Sequence, residues 1–309
     1  MFKHKWRLLQ GALGAIILYF LIVKFRQNWA ELTTQKVHWH LRWEFIAASL
    51  LVTWCMYGFL IVGWRSILHG WRQWLRIVDA ARIWCLASLG KYIPGKVWSI
   101  AGMAVMAQRE GVSGAAATGS AIIMQLVSIA TGTIITFALI GTRLLDEQMP
   151  GASIAAIVLA AVALVCVLAL TSPSLTRRIG FVVGRPDAVQ PVEPESLAAA
   201  LFTNFLAWAG YGLALQLLLL GTLEGVTLDW ATATGAFAAS YLVGYLALIV
   251  PGGVGVREGI LILLLQGSIG LAPAAALAVA SRLALTVNEL GAAVPFLLIR
   301  RRARIADHG

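Results

Sequence analysis

Four basic side chains lie within or beside long apolar stretches, where an ionised group is unusual: Lys91, Lys96, Arg257 and Arg282. Three polar residues share these stretches, namely Glu258, Asn288 and Glu289. A charge at membrane depth costs about 2.5–3.5 kcal/mol on insertion scales, so ionisable groups there normally face a partner or a cavity. These residue types indicate either an anion-binding cavity or a set of structural ion pairs.

The sequence leaves both interpretations open. In the first, the four cations line a cavity and hold an anionic headgroup, while the two glutamates act as counter-charges or proton acceptors. In the second, one of the two arginines pairs with a glutamate and joins two halves of the protein. Lys91 and Lys96 have no acid nearby in the sequence, which favours headgroup binding for them. Two neighbouring residues complete the substrate-binding candidates: Tyr92 and Asn288.

Each group of charges adjoins a proline–glycine break in the apolar sequence. The first break lies within GKYIPGKVW at 90–98, and the second within PGGVGVREG at 251–259. Such a break is either a surface loop between two spans or a turn at membrane depth, which is tolerated only where protein or a wet cavity surrounds it. Glycines allow tight turns, and free amides at a helix start can bind phosphate. We predict structural hinges at Pro94, Gly95, Pro251, Gly252, Gly253 and Gly255.

The composition places these breaks in a membrane protein. The chain has 309 residues, of which 60% are hydrophobic and 12% charged, and its mean hydropathy is +0.82. A helix needs about 20 apolar residues to cross a bilayer, and four uncharged runs suffice: 45–64, 111–142, 148–176 and 196–223. The runs are continuously apolar rather than alternating, which favours helices over a barrel. We therefore predict an all-α, polytopic membrane protein with no soluble domain.

The order of these elements predicts an inverted repeat within one membrane domain at 1–309. The first repeat, 1–145, has spans at 8–23, 45–64 and 113–141 and a broken helix pair at 80–108. The second, 146–309, has spans at 152–171, 197–221 and 274–299, a broken pair at 230–267 and a cytoplasmic linker at 172–196. Three crossings and one re-entrant hairpin per half give the halves opposite orientations. Each broken pair is either a re-entrant hairpin or two tilted spans.

The distribution of basic residues predicts the sidedness. With a cytoplasmic N-terminus, the inner segments hold 15 of the 24 basic residues: Lys3, Lys5, Arg7, Arg65, Arg72, Arg76, Arg82, Arg109, Arg177, Arg178, Arg185, Arg300, Arg301, Arg302 and Arg304. An excess of basic residues marks cytoplasmic loops. Both termini are therefore predicted to be cytoplasmic and the tips of the two hairpins to approach each other within the membrane. The net charge of +10 reflects topology and gives no reason to expect nucleic-acid binding.

A basic amphipathic stretch follows the span that ends near Trp64. Residues 65–79 separate at helical spacing into an apolar face and a face with Arg65, Arg72 and Arg76. This pattern predicts a helix lying in the headgroup layer. An ordinary cytoplasmic loop is the alternative.

The residues that commonly bind metals do not form a pattern. His38 and His40 flank Trp39, and no further cluster of histidine, cysteine or carboxylate residues supports a metal site, so we interpret them as interfacial residues. The three cysteines lie in apolar segments without disulfide or zinc spacing. No GxxxxGK[ST] loop is present. We expect no metal and no cofactor, and any energy for transport has to come from an ion or from the lipid gradient.

The segments GKYIPGKVW and PGGVGVREG resemble the transmembrane region of lysylphosphatidylglycerol synthases, a flippase-like family of prokaryotic membrane proteins, and the resemblance covers about 8–299. In the full-length synthases this region moves an aminoacylated phospholipid between leaflets, and a separate soluble domain transfers the amino acid from charged tRNA. The resemblance therefore implies the translocating part alone. Family members without the catalytic domain are associated with glycolipids, polyprenyl carriers and hopanoids.

Three functions follow as hypotheses. The first is a lipid flippase or transporter of the bacterial inner membrane that takes an anionic or glycosylated headgroup through a cavity between the repeats. The second is an integral-membrane transferase acting on a lipid-linked substrate, with Glu258 and Glu289 as the deep acid–base candidates. The third is a non-transporting partner of a lipid-synthesis enzyme, with 65–79 as its contact surface. The lipid, the direction of movement and the oligomeric state do not follow from the residues.

Overall fold

The computed structural model describes residues 39–93, 97–148, 151–169, 171–182, 191–247 and 251–298. These residues form no β-strand, only an isolated bridge between Trp39 and Leu223. Their helices are α1 (Trp43–Gly70), α2 (Ile77–Ser88), α3 (Val97–Arg109), α4 (Gly114–Gln148), α5 (Ala152–Ala169), α6 (Pro173–Val182), α7 (Pro194–Thr222), α8 (Trp230–Leu246), α9 (Val256–Ile269) and α10 (Leu271–Leu298). The all-α class is confirmed for this part of the chain.

Four of the helices are long and apolar enough to cross a membrane. They are α1, α4 as far as Gly141, α7 and α10. Gly141 has a positive φ of 78° and interrupts α4 there. These helices correspond to four of the predicted spans, and α5 covers most of the predicted span at 152–171. The predicted span at 8–23 and both termini lie outside the described residues.

Helices α1 and α7 pack antiparallel along their length. Near one end the Ser49 hydroxyl donates to the Ala214 carbonyl over 2.7 Å, and near the other the Ser66 hydroxyl donates to the Ser196 carbonyl over 3.1 Å. A Cβ on Gly63 would collide with a side chain of α7. Small residues let membrane helices approach closely, and serine hydroxyls then bond across the interface. This pair forms the centre of the helix bundle.

The other helices pack around this pair in two apolar clusters. The first joins α1, α2, α3 and the start of α4 around Trp64, whose indole donates to the Ser120 hydroxyl over 2.9 Å. The second joins α7, α8, α9 and α10 around Trp208, whose indole donates to Thr131 of α4 over 3.1 Å. Each broken helix pair therefore has its own core.

The first broken pair contains a 3₁₀ turn among its described residues. Helix α2 ends at Ser88, and Leu89–Tyr92 form this turn, hereafter the first turn. Helix α3 then begins at Val97. The predicted hinge residues Pro94 and Gly95 lie outside the described residues, and so does Lys96.

The second broken pair has a 3₁₀ turn at Pro251–Gly253, hereafter the second turn. Its glycines adopt backbone conformations that L side chains rarely enter, since φ is 59° at Gly252, 65° at Gly253 and 81° at Gly255, just before α9. A Cβ on Gly253 would also lie 2.7 Å from the Gly244 carbonyl oxygen of α8. The two turns contact each other. The predicted approach of the two breaks is thus observed between these turns.

The predicted interfacial helix at 65–79 is wrong. Helix α1 continues through Arg65 to Gly70, and the chain then turns at Arg72, where φ is 56°, before α2 begins at Ile77. The Arg65 guanidinium donates to the Leu75 carbonyl over 2.6 Å and so closes the turn. The apolar face predicted for 65–79 is divided between the end of α1 and the start of α2. The predicted linker at 172–196 likewise contains α6 and the first turn of α7.

Candidate functional site

Glu289 of α10 binds two residues of the first turn. The Lys91 ammonium forms an ion pair with its Oε1, and the Tyr92 hydroxyl donates to its Oε2 over 2.8 Å. Glu289 is 5% exposed. A buried carboxylate with an ammonium and a hydroxyl donor is well compensated for its burial. Glu289 therefore attaches the first break to the last helix.

Arg282, two turns before Glu289 on α10, binds the second break. Its guanidinium donates to the Gly252 carbonyl over 3.0 Å, and its Nε lies 3.6 Å from Glu258 Oε1. The other oxygen of Glu258 accepts the Gly255 amide at the start of α9, which forms a cap of that helix. The Arg282 guanidinium also lies 5.8 Å from the centre of the Tyr92 ring. One arginine thus contacts both breaks.

Arg257 at the start of α9 has aromatic neighbours instead of a carboxylate. Its guanidinium lies 4.7 Å from the centre of the Phe237 ring and 5.2 Å from that of Tyr241, both on α8. The side chain is buried with 6% exposure, and its Nη2 has no hydrogen-bond partner among the described residues. Gly244 permits this position, because a Cβ there would lie 2.9 Å from Arg257 Cβ. A buried guanidinium with an unfilled donor is suited to an anion.

Two adjoining cavities connect these groups. The larger, of about 140 Å³, lies between both broken pairs and includes Lys91 and Glu289 in its wall. The smaller, of about 40 Å³, is lined by Lys91, Gly252, Arg257 and Arg282. Lys91 lines both. Three cations and Glu289 line the cavities, and Glu258 lies beside Arg282. Together these described residues leave one positive charge in excess.

The larger cavity has an aromatic wall that the residue pattern did not reveal. Four of the six tyrosines in the sequence line it together with Trp84 and Phe237, namely Tyr57, Tyr211, Tyr241 and Tyr245. Ser99 and Gln125 add polar atoms. A signal for these residues exists, since tyrosine and glutamine within apolar spans need a partner for their polar atoms. Their convergence on one cavity required the packing of six helices.

The predicted site residues that the structure describes converge, and they include an arginine–glutamate pair, which one interpretation of the sequence allowed. Lys91 has no acid nearby in the sequence. In the structure Lys91 itself pairs with Glu289, and Arg282 faces Glu258. Asn288 is buried on α10, and its side-chain amide has no partner among the described residues. Lys96, Pro94 and Gly95 lie outside the described part of the chain, and Pro251 is described by its backbone alone.

The described residues do not form a metal site. No group of three or more histidine, cysteine, aspartate or glutamate side chains among them could hold a metal. The ionisable groups are cations paired with carboxylates, together with one guanidinium over aromatic rings. Such a set is chemically suited to binding an anion.

Comparison with known families decides what kind of protein carries this site. The family model described as lysylphosphatidylglycerol synthase TM region matches residues 7–288. The chain belongs to this family. A search of curated proteins finds no match. Membership of the lysylphosphatidylglycerol synthase transmembrane family, together with four candidate spans, identifies a multi-pass membrane protein related to lipid modification or transport. The resemblance seen in the two break motifs is thereby confirmed.

Proposed function

We propose that the protein moves a lipid with an anionic or glycosylated headgroup between the leaflets of a bacterial inner membrane. The observation that carries the proposal is the meeting of the two turns beside cavities lined by Lys91, Arg257 and Arg282. Buried ionisable groups and broken helices mark substrate pathways in membrane proteins. The headgroup would occupy the cavities while the acyl chains stay in the bilayer.

An inverted repeat is part of this proposal. Helix α1, the broken pair α2–α3 and α4 follow each other in the same order as α7, the broken pair α8–α9 and α10. The equivalent helices α1 and α7 run antiparallel, which supports opposite orientations of the halves. Re-entrant broken pairs and cytoplasmic termini complete the proposed topology. Inverted repeats place the substrate near the midplane and let one half move against the other.

The state of the carboxylates favours transport over group transfer. A transferase needs a carboxylate or histidine placed against the bond of the substrate that is broken. Glu289 is held by Lys91 and Tyr92, and Glu258 faces Arg282 and caps α9. Both carboxylates thus neutralise neighbouring cations and hold the two breaks in place. We therefore propose no covalent chemistry at this site.

The aromatic wall supports a headgroup with a flat or sugar-like surface. The Phe237 ring stacks on Tyr211 and Tyr241 with interplanar angles of 20° and 19°. Such rings offer apolar faces and hydroxyl groups in one place. An amphiphilic headgroup can contact the rings while its negative charge lies at the cations.

Leaflet exchange in proteoliposomes tests the proposal. Vesicles of phosphatidylcholine carrying fluorescent phosphatidylglycerol or fluorescent glycolipid are treated with an external quencher, and the protected fraction is measured. We expect exchange of one lipid class by the full chain and a loss of about tenfold or more in Arg257→Ala. Arg42→Ala is the matched control, because Arg42 is an exposed arginine paired with Glu44.

Three results of this assay decide between the functions. Exchange that depends on Arg257 supports a flippase. A covalently altered lipid identifies a transferase. A well-folded protein without exchange or product for any lipid class overturns the flippase proposal and leaves a non-transporting partner of a lipid-synthesis enzyme.

A further inference from the structure

Lys91 occupies a position between two alternative partners. On one side it forms the ion pair with Glu289 in the wall of the larger cavity. On the other side it lines the smaller cavity together with Arg257 and Arg282. Glu289 is among the described residues that line the larger cavity and not among those that line the smaller one. The ammonium therefore has a carboxylate on one side and two guanidinium groups on the other.

An anion in the smaller cavity changes the partner of Lys91. Two guanidinium groups would hold the anion, and one of them has the unfilled donor at Arg257 Nη2. The ammonium is drawn towards the same anion because it is the third cation on that wall. Glu289, which is 5% exposed, then keeps only the Tyr92 hydroxyl as a donor. Burial disfavours an ionised carboxylate without its cation, so Glu289 takes up a proton.

We infer, resting on the proposed function, that Lys91 exchanges Glu289 for an anionic headgroup and that Glu289 takes up a proton as the headgroup binds. In this step the headgroup carries one negative charge into the cavity and water supplies one proton to the carboxylate. The Lys91–Glu289 ion pair becomes a Lys91–headgroup pair beside a neutral carboxylic acid. The net charge of the site is unchanged. A proton gradient is thereby able to drive lipid movement.

The surroundings of Glu289 fit an exchange of one proton at this carboxylate. The ionisable groups that face it, or share its cavities, from the neighbouring elements are Tyr57 on α1, Cys85 on α2, Lys91 and Tyr92 on the first turn, Tyr211 on α7, Tyr241 and Tyr245 on α8, Arg257 and Glu258 on α9, and Arg282 on α10. Glu258 keeps its cation Arg282 and its amide donor from Gly255 whether or not Lys91 moves. Glu289 alone among these acids loses its cation in the exchange.

Proton uptake on binding tests this inference. Detergent-purified full-length protein in weakly buffered solution is titrated with water-soluble dihexanoylphosphatidylglycerol, while a pH indicator counts protons and calorimetry gives the affinity. We expect about one proton taken up per bound lipid and an affinity that falls about tenfold per pH unit over the pH range in which this proton is taken up. In Glu289→Gln we expect no proton uptake and an affinity that does not vary with pH.

Two further variants keep the result interpretable. The double variant Lys91→Met/Glu289→Gln leaves no unpaired buried charge at this position, so it reports on proton uptake even where the single variant unfolds. We expect it to take up no proton. Glu110→Gln removes a carboxylate that lies 3.8 Å from Arg82 at the end of α3, outside the cavities, and should leave proton uptake unchanged.

The outcomes separate this inference from the proposed function. Binding without proton uptake, or uptake that persists in Glu289→Gln, overturns the exchange on Glu289 and leaves lipid transport standing. If the phospholipid does not bind, the exchange at Lys91 and Glu289 is overturned as well. The leaflet-exchange assay alone then tests lipid transport. Inorganic phosphate is the second titrant. Equal uptake with phosphate supports the exchange and identifies free phosphate as a sufficient anion, whereas uptake with the lipid alone supports it and identifies a lipid headgroup.

Discussion

Lys91 on the first turn and Glu289 on α10 form an ion pair although 198 positions separate them in the sequence. The pair joins the first broken helix pair to the last helix. Tyr92 binds the other oxygen of the same carboxylate, so a second contact fixes the orientation of the pair.

This ion pair predicts a strongly non-additive double-mutant cycle. Lys91→Met and Glu289→Gln each leave one charge buried without its partner, and each should lower the free energy of unfolding in detergent by about 3–5 kcal/mol. The double variant should lie within about 1 kcal/mol of the wild type, because no uncompensated charge remains. Thermal and denaturant unfolding measure these differences. Additive losses would show that the two side chains do not interact in the folded protein.

The second turn predicts a large cost for a single methyl group at Gly253. Its φ is 65°, and a Cβ would lie 2.7 Å from a backbone oxygen of α8. Gly253→Ala should therefore lower the free energy of unfolding by about 1–3 kcal/mol. Gly259→Ala is the control, because Gly259 lies within α9 with open space around it, and there alanine should be neutral or stabilising. Equal melting temperatures for both variants would contradict the geometry of the turn.

The packing of α1 against α7 predicts that leucine substitution destabilises the protein at one glycine of α1 and not at another. Gly63 faces Ala200 and Thr203 of α7, whereas a Cβ on Gly58 meets no atom within 4 Å. Gly63→Leu should prevent the close approach of the helices and lower the melting temperature in detergent or abolish folding. Gly58→Leu should leave the melting temperature within a few degrees of the wild type. Size-exclusion chromatography and thermal unfolding measure both variants.

The start of α8 predicts a pH-dependent contribution to stability. The Asp229 carboxylate caps the helix by accepting the Thr232 amide over 2.9 Å. Hydrogen bonds from the side chain and the amide of Thr232 lower the pKa of Asp229 below its ordinary value of 3.8. Because the pKa is lower in the folded protein, the stabilisation is fully present above pH 3.8 and is lost as the pH falls through the lowered pKa. Asp229→Ala should cost about 1 kcal/mol at pH 7.

The same variant distinguishes the cap from a general effect of charge. The difference between Asp229→Ala and the wild type should shrink towards zero as the pH falls through the lowered pKa of Asp229. Glu224→Ala removes an exposed acid of the same loop and should have no measurable cost at either pH. A constant difference between Asp229→Ala and the wild type across this pH range would rule out the ionised cap.

Local sequence features were sufficient to predict much of the helical order. The runs at 196–223 and 111–142 correspond to α7 and to the apolar part of α4. An uncharged run of about twenty or more residues has few stable alternatives to a membrane-spanning helix. The glycines of the second break also predicted a turn correctly. The stretch 65–79 misled for a physical reason. Its two ends are helical, but the chain turns at Arg72, where φ is positive, and the second helix begins only at Ile77.

The candidate site was predicted in part. The residues Arg257, Glu258, Arg282 and Glu289 were found because a charge within an apolar run is costly. An arginine–glutamate pair was among the alternatives, but the partner of Lys91 was not predicted, since no acid lies near Lys91 in the sequence. Helix α10 places Arg282 and Glu289 about two turns apart, which lets the two residues reach different breaks.

The sequence by itself determined that this is a helical membrane protein of the lysylphosphatidylglycerol synthase transmembrane family with two glycine-rich breaks. Hydropathy and backbone freedom act over one turn or one span, so they can be read from consecutive residues. The tertiary structure alone decided that Lys91 meets Glu289, that Arg257 lies over Phe237 and Tyr241, and that four tyrosines share one cavity. These contacts join residues far apart in the chain, and only the packing of the helices brings them within reach of each other.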